Sequence, residues 1–179
     1  MRVEFQVVFA EPDLIHRGGR TVEAKMNACQ ELYPSDVYFI HRDAEAEPWR
    51  NRVVEIENAM RRNSHVLYVP VVPVRMQEAW LLANESGLRT AAGNPRGTNA
   101  LHLPPLHSLE GIADPKAVLR EALLSASGTT GRRRDRFDVE RAADYLAELT
   151  TDYAPLLRFE SFSAIDDDIS RIARMRGWT

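Results

Sequence analysis

Cysteine is nearly absent from this 179-residue chain: Cys29 stands alone, which excludes an internal disulfide framework and fits a reducing compartment. It falls within a predicted helix, Thr21 to Tyr33, where a packed thiol is the expected state rather than a nucleophile. Long apolar runs are missing too. No stretch approaches the roughly 20 residues that a helix needs to span a bilayer, and the N-terminus lacks the charged-then-apolar pattern of a signal peptide. A cytoplasmic protein without membrane contact is therefore expected. Basic charge is not in excess, since the net charge is -3, so any nucleic-acid contact needs a local basic patch. The histidines, His16, His41, His65, His102 and His107, show no HxxxH spacing, and paired CxxC is absent, which argues against zinc. No internal repeat, low-complexity tract or glycine-rich phosphate loop is present.

What remains is ordinary globular material, 44% hydrophobic and 27% charged, enough for one domain with a real core. Val3 to Phe9 reads as a strand with a nearly continuous apolar half, followed by a loop at Pro12, Gly18 and Gly19. Thr21 is a good N-cap for the helix that carries Val22, Met26, Cys29 and Tyr33 on one side. A strand over Val37 to Ile40, a helix from Pro48 to Arg62 and a strand over His65 to Val69 follow. This alternation predicts a parallel α/β sheet over residues 1–84.

Residues 85–179 read as a mostly helical extension. Met76 to Asn84 forms a short apolar helix at the junction. Gly93 to Ala113 is too long for a structureless loop and reads as an ordered excursion or a lid. Asp114-Pro115 starts a helix that Gly128 to Gly131 breaks; Val139 to Leu149 is another. A last helix is expected after Phe162, with Asp166, Asp167 and Asp168 near its start and Arg171, Arg174 and Arg176 near its end.

Three places could carry chemistry. His41-Arg42-Asp43-Ala44-Glu45 follows directly on a buried strand, where open α/β sheets bind ligands. Carboxylates at i and i+2, Asp43 and Glu45, can converge on one hard cation such as Mg²⁺; a solvated acidic turn before the next helix is the alternative. Glu78 has Leu81 and Leu82 as helical neighbours, a costly setting unless the carboxylate is paired or metal-bound; a salt bridge to Arg75 or Lys116, or a wet helix edge, would also account for it. Arg132-Arg133-Arg134, with Arg136, could grip phosphates or be solvated surface. His-Arg-Asp also opens the kinase catalytic loop, but Ala44 and Pro48 stand where that motif needs leucine and asparagine.

The set His41-Arg42-Asp43-Ala44-Glu45, Val69 to Leu82 with its Glu-x-Trp-Leu core, Leu109-Glu110 and Asp114-Pro115-Lys116 resembles a bacterial family of uncharacterised Toprim-like proteins, often encoded beside ATPases in phage-defence or DNA-processing loci. The resemblance runs from about Val3 to the Phe159-to-Phe162 region. It implies a small parallel Toprim-like sheet flanked by helices. It also implies Mg²⁺ (or Mn²⁺) held by Asp43, Glu45 and Glu78, and nuclease-like chemistry on nucleic-acid phosphodiesters; the basic run Arg132, Arg133 and Arg134 would then contact phosphate. A non-catalytic module docking on an ATPase partner, with a remnant acidic pocket, is the competing expectation. One departure stands out: the Glu-Gly turn that Toprim proteins carry after their first strand is missing, and Glu11 in Ala10-Glu11-Pro12 is the only stand-in.

Overall fold

The computed structural model describes residues 4–16, 19–44 and 47–178. In chain order these form helices α1 (Pro12–Ile15) and α2 (Val22–Leu32), strand β1 (Tyr38–His41), helix α3 (Trp49–Met60) and strand β2 (Tyr68–Val71). Helices α4 (Glu78–Leu81), α5 (Glu85–Ala91), α6 (Pro115–Ser127), α7 (Arg132–Asp135), α8 (Val139–Leu149) and α9 (Glu160–Arg176) follow. The two strands pair in parallel, with Tyr38 opposite Tyr68 and His41 opposite Val71. The architecture is α/β, a small parallel sheet flanked by helices with a mostly helical second half.

Local chemistry explains several helix starts. Thr21 accepts from the Ala24 N–H, Asp114 from the Ala117 N–H and Asp138 from the Arg141 N–H, each capping the helix that follows. Gly128 ends α6 at φ +64°, a left-handed conformation that costs glycine little. The last helix departs from expectation. It begins at Glu160 rather than after Phe162, so Asp166 to Asp168 sit in its second and third turns, and Asp168 pairs with Arg171 at 2.7 Å. Burial of Phe159 and Ile165 holds this earlier start in place.

The first predicted strand is a second departure. Residues 4–11 adopt no regular structure, and their aromatic and β-branched side chains are exposed. Strand propensity expresses fit to a half-buried pleated surface, and no described strand lies alongside to provide one. The apolar junction helix also resolves differently, into α4 and a separate α5 that Asn84 caps.

Three apolar clusters form the interior. Met26, Ala44, Ile56, Met60 and Val72 join α2 and α3 to one side of the sheet. Val69, Ile165 and Ile172 join β2 to α9. Leu88, Leu109, Leu123, Leu146 and Leu156 belong to the largest cluster, among α5, α6 and α8. Trp80 and Phe162, edge to face at 5.2 Å, border both of the last two. The expected excursion after Gly93 is ordered: Arg89 donates to the carbonyls of Gly97 (2.7 Å) and Asn99 (3.0 Å), and Asn94 donates to that of Ala126 (2.9 Å).

Candidate functional site

The parallel ladder outlasts its strands. The Arg42 N–H donates to Val71 at 3.0 Å and the Ala44 N–H to Pro73 at 3.1 Å, so the backbone through Asp43 is held against the neighbouring chain. Ala44 is fully buried, which locks the alternation of faces here. His41 and Asp43 fall on one face by that alternation, and His41 Nε2 stands 3.5 Å from Asp43 Oδ1. Arg42 turns to α3, where it pairs with Glu55 at 3.1 Å; Arg52 shares the same carboxylate at 3.0 Å.

Further groups collect at this carboxyl edge of the sheet. Beyond β2 the chain leaves through Pro73 and opens α4 with Glu78, half-buried at the first helical position. Helix α9 runs opposite to β1: Arg176 near its end lies 3.9 Å from Asp36, which precedes the strand, and Glu160 at its start meets Arg50 of α3 at 2.8 Å. The start of α9 therefore lies at the edge where Asp43 and Glu78 emerge. The 3₁₀ turn Leu106–Gly111 packs on α4 and brings Glu110 to the same helix start, where its carboxylate accepts from the Ser161 hydroxyl.

The Glu110 carboxyl has a raised pKa. Burial pushes its pKa above the ordinary range, the Ser161 hydrogen bond pulls it down, and neighbouring Glu160 pushes it up again. Its residue type next to buried Leu109 was a signal in the sequence, but fifty-one positions separate it from Ser161. No local pattern joins the two.

Asp43 thus lies where the strand pattern puts it, and the exit of the paired strand delivers Glu78 to the same end. Glu45 lies outside the described residues. Among the described residues no three His, Cys, Asp or Glu side chains group closely enough to hold a metal ion by themselves. The arginine run forms α7 rather than a loop: Arg134 pairs with Glu121 of α6 at 2.9 Å, while Arg132 and Arg133 are exposed. No described contact ties it to Asp43 or Glu78. Cys29 is buried and its thiol pKa is raised by that burial, as a packed thiol should be. Among the described residues no helix is long and apolar enough to cross a membrane. No known protein family, curated protein or solved structure matches this chain.

Proposed function

We propose that the chain is a Toprim-like protein performing Mg²⁺-dependent chemistry on nucleic-acid phosphodiesters at the carboxyl edge of its sheet. One observation carries this reading: Asp43 is pinned just past β1, and the parallel neighbour β2 exits at the same end toward Glu78. Ligand sites of open α/β sheets lie outside the carboxyl ends of strands. The donor chemistry suits the metal, since carboxylate oxygens are the ligands that Mg²⁺ takes, and Asp43 and Glu78 are each partly exposed. Asp43 and Glu78, with Glu45, would hold the ion. When bound, Mg²⁺ lowers the pKa of a coordinated water and neutralises charge on a phosphoryl group. His41 stands beside the Asp43 carboxylate, and the exposed Arg132 and Arg133 offer guanidinium forks to backbone phosphate.

Thermal-shift titration with Mg²⁺ and Mn²⁺ tests the reading. Wild-type protein should melt at a higher temperature as metal approaches millimolar concentration, and Asp43→Asn and Glu78→Gln should each remove most of that gain. A flat titration leaves the non-catalytic docking module as the surviving alternative.

A further inference from the structure

At the opposite end of the sheet lies a surface that the proposed chemistry does not use. Phe5, Val7, Val8 and Phe9 are 56–87% exposed. The segment is tethered at both ends. Phe5 packs edge to face on Trp178 at 5.3 Å, just past α9, and the Glu11 N–H donates to the Tyr33 hydroxyl at 3.3 Å. Leu32, beside Tyr33, and Met175, one turn before Trp178, are also exposed, by 52% and 64%. The ion pair of Arg176 with Asp36 places these two helix ends together at the amino end of β1. Six large apolar side chains thus share one end of the molecule, on the order of 600 Å² of surface, the upper end of what a monomer ordinarily leaves uncovered.

We propose that this end is a homodimer interface, in which residues 5–9 of one copy pair antiparallel with the same residues of a second copy about a two-fold axis at Val7. The segment itself selects this occupant. Phe5-Gln6-Val7-Val8-Phe9-Ala10 contains no charge, proline or glycine, and no described backbone hydrogen bond engages its residues. A segment of that composition outside any described sheet is a template for pairing with an identical one. With Val7 on the axis, Phe5 faces Phe9 of the second copy, which extends the Phe5 and Trp178 aromatic pair, and Gln6 faces Val8. A self-complementary pairing closes at two subunits. Burying the patch on both copies covers about 1,200 Å², the lower bound of stable specific interfaces. The carboxyl edge stays open at the other end of each subunit, so the proposal stands or falls independently of the metal site.

Sedimentation velocity over a dilution series reads the association, with far-UV circular dichroism as the check on folding. The wild-type chain should be dimeric at tens of micromolar. Phe9→Glu puts a charge on the most exposed side chain of the patch; it should raise the dissociation constant at least about tenfold and leave the helical signal unchanged. Val7→Cys supplies the register test. Opposed residues of antiparallel strands lie within disulfide reach, so mild oxidation should give a covalent dimer, whereas Gln6→Cys, facing residue 8, should not. A monomeric wild type, a dimer indifferent to Phe9→Glu, or equal cross-linking at positions 6 and 7 would each overturn the proposal.

Discussion

The hydroxyl of Ser161, almost wholly buried, donates to the carboxylate of Glu110 beside the start of α9, where Phe159 offers no cap. A carboxylate at a helix N-terminus is favoured by the helix dipole, yet burial pushes the Glu110 pKa up. The folded state therefore holds this proton more tightly than the unfolded chain does. Its contribution to stability is fully present below the ordinary carboxylate pKa and is lost as pH rises through the raised one. Glu110→Gln keeps an acceptor for Ser161 and removes the titration. Its melting temperature should exceed that of wild type at neutral pH, and the difference should shrink in acid. Parallel melting curves across that range would contradict this account.

Asn84 joins two helices with one amide. Its Oδ1 accepts from the Gly87 N–H at 2.8 Å, capping α5, and its Nδ2 donates at 3.2 Å to Thr150 Oγ1 at the end of α8. Asn84→Ala should cost about 0.5–2 kcal/mol in urea unfolding, the range for a lost N-cap. Asn84→Asp retains the cap and loses the donor, so it should recover part of that loss.

Arg89 should govern the order of the segment after Gly93. It lies across the segment, with only 16% of its side chain exposed, and ties two carbonyls to α5. In Arg89→Ala those carbonyls turn to solvent, and limited proteolysis should cut first between residues 94 and 105 while α6 and α8 persist. Unchanged cleavage would mean that the burial of Leu101 and Leu109 suffices to hold the segment.

The arginine run makes a prediction about binding rather than stability. Replacing Arg132, Arg133 and Arg134 by alanine should weaken DNA or RNA binding at every sequence and flatten its salt dependence, because each phosphate contact releases counterions. Stability should change by less than about 1 kcal/mol, since the one ion pair lost, Arg134 with Glu121, is at the surface. Fluorescence anisotropy across a salt series measures the binding. If the wild type shows no salt-sensitive binding, the run is solvated surface.

Read along the chain, the features decided by neighbours within a few residues were legible. Thr21 and Asp114 cap the helices they precede, and the break at Gly128 and the span Val139–Leu149 follow from local rules. β1 lies within one residue of its expected span, and Asp43 follows it as the motif suggested. β2 sits a few residues late, at Tyr68–Val71, beyond the turn at Arg61–Asn63 that follows α3.

What required distant partners was not legible. Val7, Val8 and Phe9 have the composition of a strand, but a strand exists only where another lies beside it, and here the segment stays irregular. Helix α9 starts early because Phe159 is buried and Ser161 meets Glu110, contacts with no signature near residue 160. The meeting of Glu110 with the start of α9, at the end of the sheet where Asp43 emerges, follows from the parallel pairing of β1 with β2 and the return of α9 across the sheet. The sequence alone determined which helices could form and which side chains carry charge. Tertiary packing decided which of those charges meet, because burial and pairing act between segments that the chain itself keeps far apart.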